Sequence, residues 1–197
     1  MENKTTYLFA LITAVAVLTI YFFKNLLIEV YEMIKPITRE QRLAFLRGMK
    51  VVAEQIYTKY GIKSIITVAQ ACLESNWGQS KLTRDANNLF GIKATDSWIK
   101  AGKAVWTGET TEYFDPKTPK KVIDGFRKYG SWQESAEDWA TLISKATRYK
   151  KLIVLAKAGD VTGFGKEITK SGYATDPNYQ SSLINRNNDI QQYNALV

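Results

Sequence analysis

An uncharged apolar run near the N-terminus divides this chain into two parts. Residues 7–23 contain no charged side chain, and a helix needs about 17–25 such residues to cross the hydrocarbon core of a membrane. Tyr7 and Tyr21 lie at the two ends of the run, as is typical of a membrane interface. We therefore predict an N-terminal transmembrane anchor and stalk over residues 1–35, and a separate domain over residues 36–197.

A cleaved signal peptide is the alternative interpretation of the same run. Ala14-Val15-Ala16 is similar to a small-residue cleavage site. The apolar run continues past it to Phe23, which favours an anchor that is not cleaved. Lys4 and Lys24 flank the run almost symmetrically, so the positive-inside rule does not orient it.

The charge of the chain belongs to its second part. The formal net charge is +8, whereas residues 1–35 carry three lysines and three glutamates. A basic domain of about 160 residues is long enough for one core and is suited to an anionic polymer. We find no basic cluster interleaved with exposed aromatic residues, so nucleic acid is not the predicted partner.

The composition also restricts the chemistry. The chain has no histidine and one cysteine, which excludes Ser-His-Asp and Cys-His machinery, histidine-based zinc sites and a disulfide framework. Cys72 lies in an apolar helical pattern and is predicted to be a small core residue. Carboxylates, tyrosines, lysines and hydroxyls remain, which suits glycoside cleavage, and we predict no metal or organic cofactor.

The hydrophobic periodicity predicts an α+β domain. Helical patterns run from Thr38 to Gly61 and from Ser64 to Gly78, and alternating residues on both sides of a turn at 115–119 predict a β-hairpin. A capping box at Ser131 begins another helix. Two more helix starts follow at Asp160 and at Asp176-Pro177.

Glu74 is the first candidate catalytic residue. It ends an apolar helical pattern just before Ser75-Asn76-Trp77-Gly78. Burial and the negative end of a helix dipole both disfavour a carboxylate, so the pKa of Glu74 should be raised. A carboxylic acid with a raised pKa can donate a proton near neutral pH, as a general acid does.

Several motifs give the domain a family resemblance. Residues 74–80 (ESNWGQS) and 87–93 (NNLFGIK) resemble the signature of glycoside hydrolase family 73, the peptidoglycan N-acetylglucosaminidases. The resemblance continues through residues 111–114, 126–129 and 172–179 in the same order. It implies a lysozyme-like fold, with a larger helical lobe, a small β-hairpin lobe and a cleft between them.

The hairpin offers the second carboxylate that glycosidases usually need. Glu109 and Glu112 are three positions apart, so on a regular strand at most one of them faces the cleft. The resemblance favours Glu112. It also implies that Tyr173 lies near the cleaved bond, although packing between the lobes is an equal alternative.

Further residues are predicted to contact the glycan or to shape the cleft. Trp98 and Trp106 are candidates for stacking on sugar faces, and Asn88 and Phe90 are predicted on the cleft floor. Trp77 has two interpretations, a wall beside Glu74 or a sugar platform. The full predicted substrate-binding set is Trp77, Asn88, Phe90, Trp98, Trp106 and Tyr179.

The resemblance implies hydrolysis of the β-1,4 bond between N-acetylglucosamine and N-acetylmuramic acid, with Glu74 as the acid. Either Glu112 activates water, or the acetamido group of the substrate attacks while Glu112 or Tyr173 assists. A lytic transglycosylase and a membrane-anchored wall-binding protein without activity are the rival functions. The domain is expected on the cell-wall side of a cell membrane, or in the virion membrane of a phage.

Overall fold

The structure is a computed structural model that describes residues 2–115 and 118–193. Side chains are described at these positions except 2–12, 29–30, 32–34, 111–115 and 119. The chain divides into two compact units, residues 1–38 and the residues from Arg39 onward.

The first unit contains one helix, α1 (Glu2–Ile34). Residues 7–12 of the predicted transmembrane segment lie outside the described side chains. In the part of the chain that the structure describes, no helix is both long enough and apolar enough to cross a membrane.

The core of the second unit begins with two helices, α2 (Arg39–Tyr60) and α3 (Ser64–Glu74). The 3–4 spacing of apolar residues on α2 predicts one buried face, and the structure confirms it. Gly61 adopts a positive φ of 71° and ends α2. The buried residues of α2 are Phe45, Leu46, Met49, Val52, Ala53 and Ile56.

The second lobe is an antiparallel hairpin formed by β1 (Val105–Asp115) and β2 (Thr118–Arg127). Alternating β-branched and aromatic residues predict both strands, and the turn at 115–119 predicts their connection. Two short helices, α4 (Lys81–Ala86) and α5 (Asp96–Lys100), lie between α3 and the hairpin.

The helices after the hairpin complete the larger lobe. They are α6 (Trp132–Lys145), a 3₁₀ turn (Thr147–Tyr149), α7 (Lys150–Ala158), α8 (Val161–Lys170) and α9 (Tyr179–Gln191). Ser131 caps α6 by accepting from the Glu134 N–H, as predicted. The carboxylate of Glu134 accepts from Gly130 rather than from Ser131, so the capping box is shifted by one residue.

Of the two helix starts predicted near the C-terminus, the structure confirms one and contradicts the other. Asp160 caps α8 by accepting from the Gly163 N–H at 2.8 Å, as predicted. The prediction that Pro177 is the first residue of the last helix was wrong, because α9 begins at Tyr179. Asp176 instead accepts from the Asn178 N–H and closes a turn before the helix.

Candidate active site

A groove of about 1170 Å³ lies between the hairpin and the larger lobe. Its lining comes from the end of α3, from α4 and the loop after it, from both strands, from α6, from the segments before α7 and α9, and from the start of α9. That volume exceeds the space that a small ligand usually needs, about 300–1,000 Å³. The groove therefore has room for several units of a polymer.

Glu74 lies in this groove as the last residue of α3. The Tyr179 hydroxyl donates a hydrogen bond of 2.6 Å to Glu74 Oε1. Burial raises the pKa of Glu74 to about 7, although the hydrogen bond from Tyr179 acts in the opposite direction. The predicted rise in this pKa is confirmed, with burial as its main cause.

A left-handed turn ends α3 directly after Glu74. Asn76, Trp77 and Gly78 have φ values of 49°, 56° and 76°, a region that bulky residues rarely enter. The Ser75 hydroxyl accepts from the Gly78 N–H at 2.8 Å and closes the turn. Two features require a glycine at position 78. Its φ is positive, and a β-carbon there would lie 2.7 Å from the Phe45 ring.

Trp77 holds this turn from the protein interior. Its side chain has no exposed surface, and it packs edge-on against Phe45 and Tyr193. The guanidinium carbons of Arg42 and Arg186 lie 5.0 and 5.6 Å from its ring centroid. The structure therefore supports the interpretation of Trp77 as a wall of the core and corrects its place in the substrate-binding set, since a buried indole is not available to a sugar.

The loop after α4 brings its backbone to the carboxyl of Glu74. Gly91 has a φ of 65°, and a β-carbon there would lie 3.5 Å from Glu74 Oε2. The neighbouring Phe90 stacks on Trp139 with ring centroids 4.6 Å apart, and its side chain is buried. Phe90 thus supports the groove from below, consistent with the predicted cleft floor.

Tyr173 lines the groove from the loop before α9. Its hydroxyl donates a hydrogen bond of 2.8 Å to the Phe90 carbonyl. Burial and then the charge of Glu74 raise the pKa of Tyr173 well above its usual 10. The phenol is therefore protonated at neutral pH, and it acts there as a hydrogen-bond donor.

Asn88 organises the same loop and does not reach the groove surface. Its amide nitrogen donates to the carbonyls of Ile92 and Arg127, at 3.0 and 2.8 Å. Its amide oxygen accepts from the Phe90 and Ile92 N–H groups. All of this side chain's hydrogen-bonding capacity is used internally, which corrects the prediction of direct substrate binding.

The first strand of the hairpin, β1, contributes five consecutive residues, 106–110, to the groove lining. Residues on both faces of β1 therefore line the groove. The face on which a side chain lies does not by itself decide whether Glu109 or Glu112 belongs to the site. Glu109 lines the groove and is paired with Lys121 at 2.7 Å. The Glu112 backbone pairs with Lys120, while its side chain lies outside the described residues.

The two candidate stacking tryptophans lie in different surroundings. Trp106 is partly exposed in the groove, and its indole N–H donates to Asp85 on α4 at 3.4 Å. Trp98 is not part of the groove lining. Lys103 and Arg127 lie 4.3 and 4.7 Å from its ring centroid, so the cations of this chain already contact the ring.

The sequence did not predict how two polar residues are placed around Glu74. Tyr179 was predicted to bind substrate, yet it is buried and contacts the acid itself, and a separation of 105 positions gives no signal of this. Gln70 is fully buried one helical turn before Glu74. A polar residue four positions before the acid, within an apolar helix, is the signal that could have found it.

The chemistry available in the groove is that of carboxyl and hydroxyl groups. Within the described residues, no group of three or more histidine, cysteine, aspartate or glutamate side chains is placed to hold a metal ion. Cys72 is buried, and burial raises the pKa of its thiol far above the usual value. It is a core residue, as predicted.

Sequence relatives carry hydrolase names. The chain is 37% identical over 145 residues to the peptidoglycan hydrolase FlgJ of Vibrio parahaemolyticus, covering 72% of this chain and 45% of that protein. It is 36% identical over 161 residues to the exo-glucosaminidase LytG of Bacillus subtilis, covering 80% and 55%. The chain thus spans about half the length of these curated relatives.

Solved structures share the fold. The crystal structure of a peptidoglycan hydrolase mutant from Sphingomonas sp. A1 has a TM-score of 0.67 and 32% identity, covering 76% of this chain and 96% of that one. A C-terminally truncated glycoside hydrolase domain of FlgJ from Salmonella typhimurium has a TM-score of 0.58 and 33% identity, covering 76% and 97%. These likenesses support the predicted lysozyme-like fold.

A family model agrees with both kinds of relative. The glucosaminidase model, described as mannosyl-glycoprotein endo-beta-N-acetylglucosaminidase, matches residues 50–192. The match includes Glu74, the groove and the hairpin. Because it covers well over half of the sequence, this chain belongs to the glucosaminidase family and is a glycoside hydrolase.

Proposed function

We propose that this protein hydrolyses peptidoglycan at the β-1,4 bond between N-acetylglucosamine and N-acetylmuramic acid, with Glu74 as general acid. The observation that carries the proposal is a groove-lining carboxyl with a pKa of about 7. A carboxyl whose pKa is raised in this way can still carry, near neutral pH, the proton that the leaving oxygen needs. Peptidoglycan hydrolases and a glucosaminidase among the relatives supply the substrate class.

The groove fits a long, anionic glycan. Its volume is larger than one sugar requires, and Trp106 presents an aromatic surface in it. A β-carbon at Gly108 would overlap the Trp106 ring, so this glycine gives the ring its place on the strand. The excess positive charge of the chain favours encounter with the carboxylates of the wall.

The second catalytic group comes from the hairpin in this proposal. Glu112 is the group that the family resemblance favours as the base that activates water in an inverting reaction. Glu109 is the alternative, supported by its place in the groove lining. If the substrate's acetamido group attacks instead, Glu112 or Tyr173 assists, and Tyr173 would then exchange its hydrogen bond to the Phe90 carbonyl for one to the substrate.

The same acid would also serve other cleavages of the glycan. A lytic transglycosylase needs one glutamic acid and forms anhydro-muramic ends. A further relative, 36% identical over 156 residues, is named a probable N-acetylmuramidase, from Lactococcus lactis. The new chain ends that the protein produces distinguish these reactions.

We also propose that residues 7–23 hold the protein at a membrane, with the glucosaminidase domain on the wall side of a cell or in a phage virion membrane. The uncharged run supports this. Extraction of membranes with alkaline carbonate tests it, since an integral anchor stays in the pellet. Recovery of the full chain in the supernatant would contradict the anchor.

Lysis of purified walls by the full chain tests the catalytic proposal. Glu74→Gln keeps the size of the side chain and removes its transferable proton, so the rate should fall by about 100-fold or more. Glu54→Gln, at an exposed position on α2, is the matched control and should keep the wild-type rate. Wall lysis by Glu74→Gln at the wild-type rate would contradict Glu74 as the acid.

A further inference from the structure

Gln70 is a buried polar residue that the fold itself does not use. It has no exposed surface, and neither its amide oxygen nor its amide nitrogen has a hydrogen-bond partner among the described residues. Leaving a buried amide without partners destabilises a fold, whereas an apolar side chain of the same shape would be nearly neutral. The stability of the fold therefore does not explain why an amide occupies this position.

The helix places this amide beside the acid. Gln70 and Glu74 are four positions apart on α3, so they lie on the same face of the helix. Side chains on a helix lean towards its N-terminus, and the Glu74 carboxyl therefore leans back over Gln70. Tyr179 closes the group from α9 through its 2.6 Å hydrogen bond to Glu74.

The reaction changes what Glu74 requires from its neighbours. After it gives its proton to the leaving oxygen, the carboxylate has about four acceptor sites, of which Tyr179 fills one. Burial restricts the access of water to this carboxylate. A hydrogen-bond donor held next to the carboxylate, with no partner before the proton leaves, would stabilise the ionised form more than the protonated form.

We propose that Gln70 is a positioning residue that donates a hydrogen bond from Nε2 to the Glu74 carboxylate formed when the proton is transferred. This inference rests on the proposed function, in which Glu74 is the acid. The interaction of Gln70 with both Glu74 and Tyr179 lowers the pKa of each, which agrees with donation to the ionised form.

The other groups around Glu74 define what the test must hold constant. The titratable neighbours of Glu74 are Tyr179 on α9 and Tyr173 in the loop before α9. Gly91, in the loop after α4, also lies next to the carboxyl but has no side chain that titrates. Substitutions at Gln70 leave all of these unchanged. The other charged side chains of the groove are Lys81, Asp85, Lys93, Glu109, Arg127, Arg148 and Asp176.

The pH profile of kcat/KM for wall hydrolysis by the full chain tests the proposal. Gln70→Leu removes the donor, so the pKa of Glu74 rises and the alkaline limb should move up by about one pH unit. We expect kcat to fall by about tenfold, with KM nearly unchanged, because the contact forms after the proton leaves. Gln70→Met serves if the leucine variant does not fold.

Thr67→Val is the matched control. Thr67 is buried on the same helix, and its hydroxyl also has no partner among the described residues. It lies one turn further from the acid, so the variant should keep the wild-type alkaline limb. A limb that stays in place in Gln70→Leu, or moves equally in Thr67→Val, would overturn the proposal.

Direct titration separates this inference from the proposed function. Carbon-13 NMR of labelled glutamate follows the Glu74 carboxyl without any substrate, and Glu74→Gln assigns its signal. A higher pKa in Gln70→Leu supports the contact even if wall cleavage is never found, which would defeat only the proposed function. An unchanged titration, together with an inactive Glu74→Gln variant, defeats only the Gln70 proposal.

Discussion

Glu74→Gln should stabilise the folded domain, and increasingly so as the pH rises. Burial raises the pKa of Glu74 from its usual 4.5 to about 7, so between these values the folded state keeps a proton that the unfolded chain has lost. Stability must therefore fall as the pH rises through that window. Each unit of pKa corresponds to about 1.4 kcal/mol, which gives a full penalty of about 3 kcal/mol above pH 7.

Urea unfolding followed by tryptophan fluorescence measures this effect. All five tryptophans lie after residue 38, so the signal reports on the glucosaminidase domain even in the full chain. At pH 4 the glutamine variant and the wild type should have similar free energies of unfolding. At pH 8 the variant should be more stable by up to about 3 kcal/mol, since glutamine carries no charge to bury.

The control for this prediction is Glu54→Gln, at an exposed position on α2. It should change the free energy of unfolding little, and equally at both pH values. A difference between Glu74→Gln and wild type that does not grow with pH would refute the argument that the fold holds a protonated, half-buried acid at the end of α3.

Further substitutions test three other parts of the domain. Trp106→Ala should raise KM for wall fragments by about tenfold with a smaller change in kcat, because it removes a stacking surface; an unchanged KM would exclude the ring from binding. Glu112→Gln should lower kcat by about 100-fold while Glu109→Gln lowers it only a few-fold; the reverse order would make Glu109 the second catalytic carboxylate. In urea melts, Gly78→Ala should destabilise by about 3 kcal/mol, since its β-carbon would lie 2.7 Å from a buried phenylalanine ring. Gly102→Ala isolates the cost of a positive φ in open space, about 1 kcal/mol, and equal losses would contradict the packing argument.

Local signals predict most of the fold, because periodicity and caps act over a few residues. Short sequence patterns predict the buried face of α2, the hairpin and the start of α6. The start of α9 did not, because Asp176 forms a turn before the helix and the proline lies within that turn.

The site was predictable where one helix builds it and unpredictable where distant segments meet. The raised pKa of Glu74 follows from its place at the end of an apolar helix. The buried positions of Trp77 and Asn88 depend on packing and hydrogen bonds with segments far away in the chain. The contact between Glu74 and Tyr179 depends in the same way on how α9 packs on α3.

The identity of the new glycan ends tests the central claim most directly. Purified peptidoglycan is digested with the full chain, reduced with borohydride and analysed by mass spectrometry, beside a Glu74→Gln digest. Reduced N-acetylglucosamine ends that disappear in the variant are the predicted result. Reduced muramic acid ends, or anhydro-muramic ends, would contradict the glucosaminidase reaction.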